Sequence, residues 1–250
     1  MKRWMIVLFA CLVHFQGFAQ QGYSRISISK DLELIQLSEN AYVHVSWSEF
    51  SGFGRVASNG LIFVSKGEAF LFDTPATDSL TKELVSWLTG SKHLKLVGFV
   101  PNHWHSDCMG GLGYLQSLKI KSYASQKTID IAKSKGLPVP AVGFKDSLQL
   151  HLGNQLIQCY YLGAAHSLDN IVVWIPSEQI LFAGCMVKSI EAKDLGNTAD
   201  GDLKSYPNTI NRLLKKFPTA IIVIPGHGAF GGLELIGHTS DLIHKLPNNP

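Results

Sequence analysis

The segment KLVGFVPNHWHSDCMGG, residues 95–111, decides the fold of this chain. Its first six residues form a short apolar run, which is typical of a β-strand buried on both faces. Side chains that can bind metal follow this run directly, and a helix is predicted over residues 112–118 after the glycine pair. A buried strand that leads into a helix through a polar turn predicts an α/β protein.

Strands and helices alternate in the same way on both sides of this segment. Before it, strands are predicted over residues 26–47, 61–64 and 69–72, and Thr77 or Asp78 caps a helix that extends to Leu88. After it, the pattern predicts helices at 125–135, 203–217 and 233–246, and strands at 148–150, 156–162, 171–175, 180–182 and 220–224. The proline-rich segment 138–140 predicts the boundary between two halves, residues 20–137 and 141–250. Strands that lead into helices in both halves imply two sheets between helical layers.

Composition and charge exclude several classes of protein. The chain has 250 residues, of which 46% are hydrophobic and only 16% charged, so it is not intrinsically disordered. Its formal net charge is +3 and no basic block of five or more residues occurs. We therefore predict neither nucleic acid nor an anionic membrane as a partner.

Residues 1–19 have the layout of a secretory signal peptide. Lys2 and Arg3 precede an apolar run from Trp4 to Phe15, and the small residue Ala19 ends the segment. A run of about twelve residues is too short to cross a bilayer, which takes roughly twenty, and no later stretch approaches that length. The segment therefore predicts export to the periplasm, with a buried first strand as the alternative.

The predicted mature chain keeps three cysteines in a compartment that permits disulfides, namely Cys108, Cys159 and Cys185. Because three is an odd number, at least one thiol stays unpaired, and metal ligation is one explanation for it.

Six side chains that can ligate a metal follow predicted strands: His103, His105, Asp107, His166, Cys185 and His227. In an extended segment, residues two apart point to the same side, so His103 and His105 can face one site. Imidazole, thiolate and carboxylate are the ligand types that zinc prefers, whereas magnesium and calcium prefer oxygen alone. Six candidates are too many for one tetrahedral zinc ion and suit two.

Each of these residues also has a purely structural interpretation when it is taken alone. His103 and His105 can be exposed, His166 can be a hydrogen-bonded loop residue, Cys185 can be a small buried hydrophobe, and Asp107 can cap the next helix. Their joint occurrence after strands favours a metal site. Cys108, Cys159 and the remaining histidines are interpreted as structural or surface residues.

His103-Trp104-His105-Ser106-Asp107, with the glycine pair that follows, resembles the metal-binding signature of the metallo-β-lactamase superfamily. The resemblance covers the whole predicted mature chain, as one domain over residues 20–250. Thioesterases of the glyoxalase II kind carry His directly after this Asp and an Asp as bridging ligand, where this chain has Cys108 and Cys185. Cysteine at these two positions resembles the two-zinc, broad-spectrum subclass of metallo-β-lactamases. Residues 184–188 and Gly196-Asn197 resemble its CcrA-like branch.

The resemblance implies a four-layer αβ/βα sandwich of two similar halves, with the site at the sheet edges. It implies one zinc ion on His103, His105 and His166 and a second on Asp107, Cys185 and His227. Asp107 would also act in catalysis, and Asp73 would lie below the metals. Lys188 is implied to hold the carboxylate of the substrate. Asn197 is implied to lie near the lactam carbonyl, with a role in both binding and catalysis. A flap over about residues 46–56 is implied to contact the substrate through Trp47, Phe50 and Phe53.

The implied activity is hydrolysis of the β-lactam ring of penicillins, cephalosporins and carbapenems, which gives antibiotic resistance. A zinc-bound water ionises near pH 7, so the implied nucleophile is a zinc-bound hydroxide. The resemblance also suggests a monomer. Two alternatives remain: a related zinc hydrolase that acts on a thioester, lactone or phosphoester, and a non-catalytic secreted zinc-binding protein.

Overall fold

Eight strands in chain order form the first sheet of the computed structural model, which describes residues 22–246. Strands β1 to β5 pair antiparallel, whereas β5 to β8 pair parallel. The strands are β1 Ser24–Ser29, β2 Leu32–Gln36, β3 Ala41–Phe50, β4 Gly54–Ser65, β5 Glu68–Phe72, β6 Lys95–Val100, β7 Lys121–Ser125 and β8 Val142–Phe144. The predicted signal peptide, residues 1–19, lies outside the described residues.

The second sheet contains five strands in the order β13-β12-β11-β10-β9. Strands β9 to β12 form an antiparallel meander, and β13 joins β12 in parallel. The strands are β9 Ser147–Leu152, β10 Gln155–Tyr160, β11 Val172–Ile175, β12 Ile180–Gly184 and β13 Ile222–Pro225.

Residues 22–246 contain six α-helices, of which α2 lies at one edge of the sandwich and the others on the outer faces of the two sheets: α1 Asp78–Ser86, α2 Ser106–Met109, α3 Leu112–Ser117, α4 Gln126–Ser134, α5 Tyr206–Lys216 and α6 Glu234–His244. A short π-helical turn, Trp87–Ser91, follows α1. The side chain of Thr77 accepts a hydrogen bond from the Leu80 amide and so confirms the predicted N-cap of α1.

Apolar side chains fill three layers between these elements. The inner faces of the two sheets meet in one core, in which Phe63 and Phe72 of the first sheet pack with Phe182 of the second. Leu84 packs on the outer face of the first sheet, and Ile210 packs on that of the second. Each such side chain stabilises the fold by about 1.5–3 kcal/mol when it is fully buried. The order helix, sheet, sheet, helix confirms the predicted αβ/βα sandwich.

The structure differs from the sequence prediction in three short elements. Strands β7 and β8 and the one-turn helix α2 were not predicted, because none of them has a periodic apolar pattern. Since β8 still belongs to the first sheet, the chain changes sheets after Phe144, a few residues later than the segment 138–140. Within residues 22–246, no helix is long and apolar enough to cross a bilayer.

Candidate metal centre

Four loops meet at one edge of the sandwich and carry the six candidate ligands. The loop after β6 brings His103 and His105, and helix α2 begins there and presents Asp107. The loop between β10 and β11 brings His166, and Cys185 follows β12 directly. The fourth loop, after β13, brings His227. The segment 101–105 is bent rather than extended, so the loop and not strand alternation turns its two histidines inward.

His103, His105 and His166, here named the imidazole cluster, present ring nitrogens to a common point. One nitrogen from each ring lies within 4.8 Å of the others. The Nε2 atom of His103 lies 2.8 Å from the Nδ1 atom of His105. The ring centroid of His166 lies 4.9 Å from that of His103 and 5.4 Å from that of His105. Three nitrogens at this spacing can share one cation.

Asp107, Cys185 and His227, here named the mixed cluster, lie beside the imidazole cluster. The Oδ2 atom of Asp107 lies 3.2 Å from the Nε2 atom of His227 and 3.5 Å from the Sγ atom of Cys185. One nitrogen, one oxygen and one sulfur therefore converge from three separate elements, and both predicted ligand sets are brought together.

Burial favours the neutral form of two histidines of the imidazole cluster. Burial, and then the neighbouring His103, lower the pKa of His105. Burial lowers the pKa of His166 well below its usual value, and His103 and Lys188 lower it further. Neutral imidazoles at pH 7 have a free lone pair on each unprotonated nitrogen, which is the form that binds a metal.

The mixed cluster instead holds negative charge. Burial alone raises the pKa of Asp107, but the hydrogen bond from His227 and the nearby histidines outweigh it and hold the pKa below its usual value. Contact with Cys108 is the largest cause of the lowered pKa of Cys185. The pKa of His227 is raised well above its usual value: burial lowers it, but Cys185 and Asp107 raise it by more. The His227 imidazolium therefore compensates the negative charge of these two neighbours. A divalent cation would take over that compensating role.

Outer partners fix the ring orientation of three histidines. His105 donates from Nε2 to the carboxylate of Asp200 at 3.0 Å, and His227 donates from Nδ1 to the carbonyl oxygen of Ala57 at 2.8 Å. The Sγ atom of Cys108 lies 3.2 Å from the Nδ1 atom of His103. In each ring the other nitrogen then faces the centre, as in known sites where outer partners set the histidine tautomer.

Asp73, directly after β5 of the first sheet, holds the loop that carries His103 and His105. Its buried carboxylate accepts a hydrogen bond from the backbone amide of Asn102, next to His103. Its φ of 58° lies in the left-handed region, which Asp tolerates better than most residues. Two glycines allow the close approach: a Cβ atom at Gly184 would meet the Asn102 side chain, and one at Gly226 would meet the Cys185 sulfur.

The loop that carries His166 is held by a buried carboxylate. Asp169 is fully buried and accepts hydrogen bonds from the hydroxyls of Thr128, on helix α4, and Ser167. Asn170 accepts from the backbone amide of Ser167 and donates to the carbonyl oxygen of Gly163. These bonds set the position of His166 from both sides.

A cavity of about 740 Å³ opens over the two clusters. Its lining includes His166, Asp107 and His227, together with Lys188 and Asn197. Lys188 is 9% exposed, and burial lowers its pKa, although Cys185 and Asp107 oppose this. Lys188 and Asn197 therefore line the same cavity as the donor clusters, and their roles in substrate binding stay predictions.

The predicted flap is the hairpin between β3 and β4. Phe50 and Phe53 line the cavity, and Phe53 is 63% exposed. Trp47 does not line the cavity. It packs against the core between the sheets, and the guanidinium of Arg55 lies 5.7 Å from its ring centroid.

Two residues that the sequence analysis did not place at the site belong to its surroundings. Cys108, interpreted as a structural cysteine, contacts His103 and lies within 4.8 Å of the donor atoms of Asp107 and Cys185. Its position directly after Asp107 is the signal that was available. Asp200 comes from a loop far along the chain and has no local sequence signal.

The donor chemistry fits zinc. Three imidazoles form one set, and a carboxylate, a thiol and an imidazole form the other. Both are ligand combinations that zinc accepts. The Nδ1 atom of buried His166 has no hydrogen-bond partner among the described residues.

Comparisons with known proteins agree with this geometry. A family model described as the metallo-beta-lactamase superfamily matches residues 53–227. A metallo-beta-lactamase type 2 from Bacteroides fragilis is 51% identical over 241 residues, which cover 96% of this chain and 96% of that protein. The enzyme of the same name from Bacillus cereus is 36% identical over 85% of this chain and 82% of its own length.

Solved structures give the same result. The metallo-beta-lactamase from Pontibacter korlensis matches with a TM-score of 0.83 and 37% identity, over 86% of this chain and all of that one. With the family model spanning most of the chain, and a relative sharing half of its residues over nearly its full length, the chain belongs to the metallo-β-lactamase superfamily.

Proposed function

We propose that this protein is a zinc-dependent β-lactamase that hydrolyses the cyclic amide of penicillins, cephalosporins and carbapenems and so confers antibiotic resistance. The observation that carries the proposal is the convergence of the imidazole cluster and the mixed cluster under one cavity. Relatives that bear the name metallo-beta-lactamase type 2 support this substrate class.

The imidazole cluster would hold one zinc ion and the mixed cluster a second. Bound zinc supplies a nucleophile from water near neutral pH and a Lewis acid for the negative charge that develops on the substrate. Asp107 stays ionised because its neighbours hold its pKa low, so it orients the attacking water as a hydrogen-bond acceptor.

Lys188 would bind the carboxylate that β-lactams carry. It lines the cavity three residues after Cys185, with its backbone amide held by the Thr239 hydroxyl at 2.8 Å. A charge-assisted hydrogen bond of this kind contributes about 1.5–3 kcal/mol.

Asn197 would donate to the lactam carbonyl. Its Oδ1 atom accepts from the backbone amide of Ala199 at 3.1 Å, so the side-chain nitrogen would be the donor to the substrate. Phe50 and Phe53 would cover apolar substituents of the substrate and exclude water from them. Trp47, which the resemblance also implies as a contact, would support this hairpin from its base.

We also propose that the protein acts in the periplasm as a monomer. The charged start and apolar run of residues 1–19 support export.

The test is hydrolysis of a carbapenem, a cephalosporin and a penicillin by the purified protein, before and after removal of zinc with a chelator, with zinc counted in both samples. We expect turnover of each ring, loss of turnover with the metal, and recovery when zinc returns. A thioester and a lactone are assayed in parallel. Turnover of these alone would favour the related hydrolases, and bound zinc without any turnover would favour the non-catalytic alternative.

A further inference from the structure

Cys108 and Cys185 are two free thiols in contact at the floor of the metal centre. Their sulfur atoms lie within 4.8 Å of each other, and Cys108 and Cys185 are 0% and 2% exposed. They belong to different elements, helix α2 and the end of β12. The proposed reaction uses Cys185 as a ligand and leaves Cys108 with no role beyond its contact with His103.

We propose that Cys108 and Cys185 are a redox modification site, at which a hydroperoxide converts the two thiols to a reversible disulfide whenever Cys185 is not bound to metal. The bond itself rests on the position of the two sulfurs alone. Its effect on metal binding rests on the ligand assignment proposed above.

The cavity determines which thiol reacts first. Cys185 is 2% exposed and touches Asp107, which lines the cavity, whereas Cys108 has no exposed surface. Only a small oxidant can reach such a thiol, which favours a hydroperoxide over a bulky disulfide. The sulfur of Cys185 attacks one peroxide oxygen, the O–O bond breaks, and the product is a sulfenic acid plus water (or the alcohol of an organic peroxide).

The second step needs no further oxidant. The sulfur of Cys108 attacks that of Cys185, the S–O bond breaks, and the hydroxyl leaves as water with the proton of the Cys108 thiol. Two thiols have then lost two electrons and two protons in total to one peroxide. Because Cys108 is already in contact, this step competes with a second peroxide, which would oxidise Cys185 irreversibly to a sulfinic acid.

The disulfide would remove one donor from the mixed cluster and leave the imidazole cluster intact. A cation on the Cys185 sulfur would withdraw electron density from it and lower its nucleophilicity, so metal binding would protect the pair from oxidation. The disulfide would in turn remove the sulfur as a metal donor. The structure thereby assigns Cys108 the role of a resolving thiol that keeps loss of the second metal reversible.

The experiment treats purified protein with hydrogen peroxide in two forms, stripped of metal and reloaded with zinc. After alkylation of free thiols under denaturing conditions, intact mass and peptide mapping identify the products. We expect the stripped protein to lose two titratable thiols and two hydrogens and to yield a linked Cys108–Cys185 peptide. We further expect dithiothreitol to reverse the change, and the reloaded protein to resist it.

Zinc counting after oxidation gives a second readout besides activity. The oxidised protein should bind one zinc equivalent fewer than the reduced protein, and dithiothreitol should restore it. Cys159→Ala, which removes a thiol from the core between the sheets, is the matched control and should still form the linked peptide.

Cys108→Ser and Cys108→Ala should instead gain oxygen at Cys185, with no recovery in dithiothreitol. Oxygen addition at Cys185 in the unaltered protein, with no linked peptide, would overturn the proposal. Equal oxidation of the stripped and reloaded forms would overturn its dependence on metal. A protein that links these cysteines but opens no β-lactam would refute the proposed function and leave this inference standing.

Discussion

The imidazole cluster and the mixed cluster lie side by side, yet burial acts on them with opposite results. In the first, burial lowers the pKa of His105 and His166 and so favours their neutral form. In the second, neighbouring histidines keep Asp107 ionised against burial, and contact with Cys108 lowers the pKa of Cys185. One edge of the fold therefore offers a site of imidazole nitrogens beside a mixed site that holds negative charge, and substitutions in the two sites should differ in their effects.

The largest effect should follow from Cys185→Ser, which replaces the soft donor of the mixed cluster. We expect one zinc equivalent to be lost at low zinc concentration and kcat/KM to fall by more than the roughly 100-fold typical of outer metal partners. Zinc counting and steady-state kinetics on a carbapenem measure both. Cys159→Ser controls for loss of a buried thiol elsewhere, and full activity with both metals retained in Cys185→Ser would refute the assignment.

Lys188→Ala should act on substrate binding and spare both clusters. Removal of one charge-assisted contact of about 1.5–3 kcal/mol should raise KM for carboxylate-bearing substrates about 10- to 100-fold, with a smaller change in kcat. Lys193, an exposed lysine at the rim of the same cavity, gives the matched control Lys193→Ala. Unchanged KM in Lys188→Ala would remove Lys188 from substrate binding.

Asp200→Ala sharpens the comparison because it should weaken the imidazole cluster alone. Without the acceptor for its Nε2 proton, His105 loses its orientation, and we expect zinc affinity there to fall about tenfold. Competition with a chelator measures the affinity, and the thiolate absorption of the cobalt-substituted protein reports whether the mixed cluster is intact. Glu191→Ala, on the same loop, is the control; weakening of the thiolate band in Asp200→Ala would contradict the separation.

His44 tests whether burial alone makes an imidazole neutral away from either cluster. It is 1% exposed, and burial lowers its pKa from 6.5 to about 4, although its contact with the Asp73 carbonyl opposes this. Between these values the unfolded chain binds the proton and the folded chain does not. Stability contributed by neutral His44 is therefore complete above pH 6.5 and is lost as pH falls towards 4.

His44→Gln should flatten that dependence by up to about 1.4 kcal/mol per pH unit. Urea unfolding of both proteins from pH 4.5 to 7.5 measures the slopes. Equal slopes would show that burial does not neutralise this imidazole.

The fold and the ligands could be predicted from sequence because their signals are local. The apolar run 95–100 predicts β6, and the histidines and Asp107 follow it within a few residues. Thr77 predicts the start of α1 by its capping chemistry. The family resemblance then supplied the grouping of ligands, which spacing left open.

The remaining features depend on contacts between distant segments. Asp200 lies 95 positions from His105, and nothing around it differs from an ordinary loop aspartate. Strand β7, Lys121–Ser125, forms because a parallel neighbour pairs with it, not because of its own pattern. Trp47 belongs to the segment that resembles a flap, which implies a substrate contact, but nothing in the local sequence shows that its side chain packs against the core between the sheets.

Strand β4 runs from the flap to the floor of the site, and its middle is fastened to the loop of His227. Ala57 accepts the proton of that ring, and Asn59 donates to the carbonyl oxygens of Pro225 and Gly228. Residues 50–56 extend beyond this anchor. Under selection by new antibiotics, residues 50–56 can be substituted one at a time while the contacts of Ala57 and Asn59 preserve the geometry of the metal site. The substrate spectrum and the hydrolytic chemistry can therefore evolve separately.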